Sequence, residues 1–371
     1  MIVDSVVQFV KSESGPERFR AMRSTEQGWA PDIWQKMADY GWLGLGISEE
    51  NDGLGGSFVD LALVLEQLGI GLVPEPFIPS VVLCGSILDR WGTPDQVNEL
   101  LKPMIDGELS LSLAYAERQS RYELNDCKTQ ALQTPNGWTI SGEKAWVLNG
   151  HAADHLLVAA RTSGEQLDSE GISLFAVSAN IPGVERTTVN TMDGQKAAFI
   201  EFRDVAVNQA AMVGSAGQGL PILEWVIDRG AAAACAEGQG HLQAMLNLTL
   251  EHLKQREQFG VKIGTFQALQ HKAADMFAET ELCRGMMLLA ALNVDADAEL
   301  RKREISSAKA HLTSSGWFVQ ENAIQLHGGI GVTDEQDVGL FFKRLRVLQG
   351  LFGDEEYHIN RFQSQEHFAE E

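Results

Sequence analysis

The chain is short of positive charge: 29 Lys and Arg stand against 51 Asp and Glu, a formal net charge of −22. A surface of that sign repels nucleic-acid phosphates and anionic membranes, so neither partner is expected and any basic site must be local. Cysteine is scarce as well. The four residues Cys84, Cys127, Cys235 and Cys283 form no CxxC pair, which argues against a zinc knuckle or a disulfide framework and leaves reduced, structural thiols. No apolar run approaches the roughly eighteen residues of a membrane helix. The opening MIVDSVVQFVKSES has neither a basic lead nor a small-residue cleavage pattern, so a cytoplasmic location is expected. Several local enzyme signatures are missing too: there is no GxxxxGK[ST], no GxGxxG after a strand, no HExxH and no GxSxG. The nine histidines form no ligand-like pair at helical spacing, and His271 and His327 are read as structural or surface residues; no metal site is expected.

What is present reads as an α+β chain of three regions. Residues 1–110 are helical in pattern, with apolar stripes at Ile33, Met37, Tyr40 and at Val64, Leu65, Leu68. Ser57 and Thr93 are N-cap candidates, the latter followed by Pro94 at a position where proline's missing donor costs nothing; Asn51 to Gly56 is a loop. Between 111 and 210 the runs become short and β-rich: LSLAYA, GWTISGEKAWVLNG, HLLVAART, ISLFAVSA and AAFIEFRDVAV. Asn136-Gly137 between two of them predicts a tight hairpin turn. From 211 to 371 helical spacing returns, as in Leu242, Met245, Leu246, Leu250 and Leu253. Long helices are predicted at 222–256, 266–294, 298–326 and 335–350, a C-terminal helical bundle with short connections.

The strings KQREQFG, TFQALQHKAADM and IQLHGGIG, in that order, resemble the acyl-CoA dehydrogenase flavoprotein family. ISEENDGLGG at Ile47 to Gly56, GEKAWVLNG at Gly142 to Gly150 and LFGDEEYH at Leu351 to His358 add to the likeness, which covers nearly the whole chain. The resemblance implies an N-terminal helical domain, a middle β-domain and a C-terminal four-helix bundle, in a dimer or tetramer. It also implies FAD as cofactor, an acyl-CoA as substrate and an electron-transferring flavoprotein as electron acceptor. In the family's reaction a base, usually glutamate, removes an α-proton from the thioester and the β-hydrogen leaves as hydride to FAD, giving a 2-enoyl-CoA.

Family members share each FAD between neighbouring subunits, and the two halves of the site fare differently here. In the half lent to a neighbour, Arg256 and Phe259 of RxxFG match residues that reach the pyrophosphate and ring system, and Gln325, Gly328 and Gly329 match those at the adenosine end. The plainer alternatives are a surface cation, a buried aromatic and a glycine helix cap. In the half held in cis, AERQSRYE at Ala116 to Glu123 stands where the family has TEPxAGSD, and only Glu117 survives. Trp146 and Val147 match residues on the flavin face, with β-domain core as the alternative for Trp146; Leu148 replaces a hydroxyl that bonds the flavin nitrogen, a bond leucine cannot make.

Counting from Gln325, the family's YEGT falls on Leu351, Phe352, Gly353 and Asp354, so phenylalanine stands at the glutamate base position. Asp354 would meet flavin phosphates, a like-charge contact that at about 4 Å costs roughly 1 to 4 kcal/mol. A second base position of the family falls on Gly230, also without a carboxylate. Asp228 lies about 200° around the helix from it. Glu237 is read as a buried base or a paired structural carboxylate. Three readings follow: a base-lacking subunit of a heteromeric acyl-CoA dehydrogenase; a self-sufficient homo-oligomer with Asp228 or Glu237 as base; and a non-catalytic binding protein of the same fold, for which FFKRLR at Phe341 to Arg346 is the one basic run worth testing against nucleic acid. The resemblance suggests a dicarboxylyl-CoA or a steroid side-chain derivative as substrate.

Overall fold

A computed structural model of the chain describes residues 2–365. Two compact units emerge: Met1–Ala21 with Phe58–Val73 and Ala231–Glu371, and Met22–Ser57 with Pro74–Gly230. In chain order the helices are α1 Ile2–Glu13, α2 Pro16–Arg23, α3 Pro31–Asp39, α4 Phe58–Ile70, α5 Ser86–Trp91, α6 Pro94–Gln96, α7 Lys102–Ile105, α8 Gly219–Gln255, α9 Gln267–Asn293, α10 Ala298–His327, α11 Val338–Gly350 and α12 Glu355–Gln363. The four long helices read from periodicity correspond to α8, α9, α10 and α11, with ends within three residues of those expected.

The second unit is built on an eight-stranded sheet. Its strands are β1 Leu111–Ala114, β2 Gln130–Thr134, β3 Gly137–Leu148, β4 His155–Arg161, β5 Ile172–Ser178, β6 Val184–Asn190, β7 Lys196–Asn208 and β8 Met212–Val213. They run in the order β6-β7-β3-β2-β4-β5-β8, with β1 parallel to β4. Ile140, Leu156, Val158, Phe175, Ile200 and Phe202 meet in the core, as alternation on half-buried strands requires. The hairpin differs by one position from its sequence reading: Thr134 pairs with Gly137, so Pro135 and Asn136 form the turn and Gly137, at φ +147°, opens β3. Proline's fixed φ makes it the turn former. The edge strand β6, VERTTVN, carries no apolar alternation, and none of its residues is buried, which is why periodicity misses it.

Local signals decide the helical parts of this unit. Thr93 caps α6 through a reciprocal box with Gln96, as its position before Pro94 suggests. In α3 the buried face is Trp34 and Met37, whereas Tyr40 is exposed; the indole of Trp34 donates to Leu109 O at 3.2 Å, so the stripe is turned from the one read at Ile33, Met37 and Tyr40. The apolar stretch Phe77–Gly85 is a wholly buried π-helical segment, tied to β1 by Ser80, whose hydroxyl donates to Leu111 O and accepts from Leu111 N. Buried Arg161, at the end of β4, donates to six backbone carbonyls: Asn125, Cys127, Ser163, Gln166, Asp168 and Glu170. That fan of donors organises the loop between β4 and β5.

In the first unit the helices cross closely where glycine allows it. A Cβ on Gly69 of α4 would lie 2.3 Å from Glu237 O, and one on Gly240 of α8 would lie 2.0 Å from Glu66 O. The expected stripe of α8 is inward: Leu242, Met245, Leu246 and Leu253 are buried and Leu250 is half-buried. Lys309, fully buried on α10, donates to Leu348 O at 2.6 Å and Gln349 O at 3.2 Å, occupying carbonyls that α11 leaves open at its C-terminal end. Among the described residues no helix is long and apolar enough to cross a membrane.

Candidate functional site

The C-terminal ends of α8 and α10 border a cleft of about 660 Å³ in the first unit, together with the start of α9. Four of the five residues expected at the lent half-site line it: Arg256, Gln325, Gly328 and Gly329. Arg256 follows α8 directly and is exposed, with no side-chain partner among the described residues. An unpaired guanidinium at a concave wall suits an anion. Gly328 caps α10 at φ +67° and ψ −150°, dihedrals that only glycine adopts readily, and a Cβ on it or on Gly329 would meet nothing within 4 Å. The cap and the open backbone are therefore one feature: the turn that ends the helix also faces free space.

Phe259 sits beside the cleft rather than in its wall. Strands β9 Glu257–Gln258 and β10 Val261–Lys262 pair antiparallel, with Phe259 and Gly260 as the two-residue turn at φ +54° and +79°. Two positive φ values are what a tight hairpin of this length prefers, and asparagine normally fills the first position. Here a bulky ring takes the left-handed conformation and is 90% exposed, so the buried-aromatic alternative fails. Strain at an exposed ring has no return in buried contacts.

Among the lining residues that sequence reasoning did not place in the cleft are Lys272, His252 and His327. Lys272 of α9 enters the cleft and donates to Asn322 Oδ1 at 3.0 Å. His252 lies one turn before Arg256 on the same face of α8, and its ring stacks on that of His327 with centroids 4.6 Å apart and an interplanar angle of 28°. His327, read singly as structural or surface, is thus a cleft residue. The two rings come from different helices, which spacing along one helix could not reveal. Among the described residues no carboxylate lines the cleft, so Arg256, Lys272 and the histidines set the sign of its side chains. A set of two fixed cations, two imidazoles and two side-chain amides beside bare glycine backbone fits the diphosphate of a dinucleotide such as FAD.

The β-unit holds the other expected residues. A register shift in the β3–β7 ladder between Lys144 and Val147 bulges the strand, and Trp146 there adopts φ +54°. Its ring is 55% exposed, so it is not β-domain core. It meets Phe199 edge-on at 5.1 Å, and the Arg118 guanidinium lies 4.3 Å from the same Phe199 ring. Val147 is buried and Leu148 half-buried, the Leu148 carbonyl accepting from Ser112. Glu117, the one survivor of its string, is structural: it accepts Lys144 Nζ at 2.8 Å and the amides of Lys128 and Thr129. Burial pushes its carboxyl up, but the charge and hydrogen bond of Lys144, with bonds from Gln119 and Thr129, hold it down to about 2.

The base candidates are inside the protein. Phe352 is 5% exposed at φ +60°, its carbonyl accepting from His358 Nε2 at 3.1 Å. Asp354 caps α12 through Tyr357 N at 2.9 Å. Glu237 is gripped by Arg344 at 2.7 and 3.1 Å and neighbours His241 at 3.3 Å. Burial raises its carboxyl, yet Arg344 and His241 outweigh that and keep it at about 2, so Glu237 stays an ionised structural partner and a poor proton acceptor. Asp228 is buried on α8 and partnered, on the same helix as Gly230. The basic run Phe341 to Arg346 is dispersed: Arg344 is turned inward and Arg346 lies over Trp317. Among the described residues no group of three or more metal-ligating side chains exists.

Comparison with known proteins agrees with this layout. Residues 1–108, 112–205 and 217–365 match the acyl-CoA dehydrogenase N-terminal, middle and C-terminal domains. The probable acyl-CoA dehydrogenase YngJ of Bacillus subtilis is 29% identical over 354 residues, covering 94% of this chain and 92% of that one. A chain of the ChsE4-ChsE5 complex from Mycobacterium tuberculosis is 26% identical with a TM-score of 0.88, covering 100% of this chain and 96% of that one. A chain of the Tcur3481-Tcur3483 steroid ACAD is 27% identical with a TM-score of 0.86, over 98% of this chain and 96% of that one. The chain belongs to the acyl-CoA dehydrogenase family of FAD-dependent oxidoreductases.

Proposed function

We propose that this chain is the base-lacking subunit of a heteromeric acyl-CoA dehydrogenase. Arg256, Gln325 and the Gly328-Gly329 turn hold the diphosphate and adenosine end of an FAD seated mainly on a base-bearing partner, and Phe259 reaches its ring system. When bound, FAD supplies the two-electron redox chemistry. The partner contributes the carboxylate that takes the α-proton from the acyl-CoA, because the corresponding position here is the buried Phe352, which accepts none. One observation carries the reading: the lent half is assembled as an open, cationic cleft with an exposed aromatic, while the cis half lacks its base and its flavin hydroxyl. Two relatives that this chain resembles are named as paired proteins, one of them a steroid ACAD.

Within the family, AYAERQSRYEL at Ala114 to Leu124, CAEGQG at Cys235 to Gly240 and LFGDEEYH resemble the small subunit of pimeloyl-CoA dehydrogenase. That resemblance supports a dicarboxylyl-CoA thioester as the proposed substrate, with a steroid side-chain thioester next, and an electron-transferring flavoprotein as the proposed electron acceptor. Trp146 and Val147 then stand at the flavin-face positions of the half held in cis, where Leu148 offers no hydroxyl to a flavin nitrogen. Absorbance of the purified chain, alone and co-expressed with a second family subunit, tests this. A colourless chain that becomes part of a yellow complex bleached by pimeloyl-CoA is expected. A yellow isolated chain that substrate bleaches would sink the reading and favour a self-sufficient homo-oligomer with its base at Asp228. A chain that gains no flavin in either setting would favour a non-catalytic binding protein.

A further inference from the structure

Resting on that reading of the cleft, we propose that the stacked His252–His327 pair is a proton-taking clamp. A diphosphate ester enters the cleft together with one solvent proton, which His327 Nε2 accepts and then donates as a hydrogen bond to a phosphate oxygen.

The argument begins with a hydrogen bond. His327 Nδ1 lies 2.8 Å from Ala323 O, and a carbonyl oxygen only accepts, so Nδ1 carries a proton. A neutral imidazole has one ring proton. Nε2, the other ring nitrogen of this cleft-lining residue, therefore offers a lone pair, which would repel a phosphate oxygen set against it. Adding a proton there turns repulsion into a charge-assisted donor. The step makes one N–H bond from a solvent proton and leaves the ligand covalently unchanged.

The neighbours set when that proton is taken. Facing the pair are Arg256 from its own side of the cleft, Lys272 from α9, and Gln258 and Gln325, with no carboxylate lining the cleft among the described residues. The nearest acids along the chain are already engaged, Glu251 with Lys254 at 2.9 Å and Glu257 with Lys262 at 2.7 Å. Burial first, then the partner imidazole and Arg256, lower the pKa of His252; burial likewise lowers that of His327 against the Ala323 bond. The pair is neutral near neutral pH. Two imidazolium rings stacked 4.6 Å apart would repel, so it takes one proton, not two. His327 is also the last residue of α10, whose C-terminal carbonyl end favours a cation and opposes an anion until that cation forms.

The sign follows from linkage. A bound diphosphate raises the pKa of the histidine above its value in the empty cleft. Affinity is then fullest at low pH and is lost as pH rises through the value in the complex, by up to about tenfold per pH unit. FAD, ADP-ribose and dephospho-CoA are diphosphate diesters with no proton of their own that titrates near neutrality, so any pH dependence belongs to the protein.

Isothermal titration of the full chain with each of the three, between about pH 6 and pH 8 and in buffers of different ionisation heat, reads affinity and proton uptake together. Uptake approaching one proton, and weaker binding at higher pH, are expected for wild type. His327→Gln, which donates an amide without taking a proton, should bind with no pH dependence; if it does not fold, uptake by wild type decides. Binding without proton uptake, or no binding of any of the three, overturns the clamp. Uptake with dephospho-CoA but not FAD supports the clamp and overturns the cofactor assignment of the half-site. A flavin-loaded complex whose isolated subunit shows no uptake leaves the heteromer standing and overturns the clamp.

Discussion

Replacing Glu117 by glutamine removes one charge from an enclosed ion pair of the β-unit. The side chains of Lys144 and Glu117 are 0% and 4% exposed, and their 2.8 Å contact is the main compensation for burying the lysine. The carboxyl stands at about 2 against an ordinary 4.5, a difference equivalent to about 3 kcal/mol. Because the folded value is the lower one, this stability is present above 4.5 and is lost as pH falls towards 2. A second route gives a similar size: breaking a buried pair by removing one partner costs about 3 to 5 kcal/mol. The lower end applies, since Lys144 Nζ keeps Tyr115 O at 3.1 Å. Glutamine also turns its NH2 donor towards one of two backbone amides that need acceptors, Lys128 N on Oε2 or Thr129 N on Oε1. Denaturant unfolding of Glu117→Gln should show a loss of about 3 kcal/mol, with melting lowered by about 6 to 12 °C. The paired change Glu117→Leu with Lys144→Met should cost less than Glu117→Gln alone. A single variant within about 0.5 kcal/mol of the parent, or wild-type stability that does not fall with acid, would refute the reasoning.

Other substitutions probe other parts. Gly240→Ala drives a methyl into the Glu66 carbonyl and should destabilise the helical unit by about 1 to 3 kcal/mol, read by thermal melting. Arg344→Met leaves Glu237 buried with His241 beside it but without its bidentate cation: its pKa should rise and stability should fall by about 3 kcal/mol, with the loss growing as pH rises above the usual carboxylate range. Phe259→Asn suits the left-handed turn better, so stability should hold or rise by about 0.5 to 1 kcal/mol while flavin retention by the co-expressed complex falls.

The long helices were legible because their apolar stripes repeat over many turns, and Thr93 because capping is a local chemistry that Pro94 confirms. The edge strand β6 was not, since nothing on it is buried, and the stripe of α3 was misplaced because Trp34 buries an indole that must also find an acceptor. At the site, Arg256, Gln325, Gly328 and Gly329 could be assigned from motif position, and they do converge on one cleft. Lys272, His252 and the pairing of His252 with His327 could not, because their meeting depends on how α8, α9 and α10 pack. Glu237 was left between base and structural partner until Arg344, more than a hundred positions along the chain, appeared beside it. The exposure of Phe259 and Trp146 lay equally beyond reach: sequence gives their apolar character, while the bulge and the hairpin tip decide which way they face.

Arg161 carries a dynamic consequence. The loop between β4 and β5 would fray on its own, yet its carbonyls at Ser163, Gln166, Asp168 and Glu170 share one buried guanidinium with Asn125 and Cys127. Local opening of any single turn would strip several of these bonds at once, so the loop should open cooperatively with the sheet. Its amides should then exchange with solvent on the timescale of the neighbouring strands rather than of a surface loop, and proteases should find no early nick there.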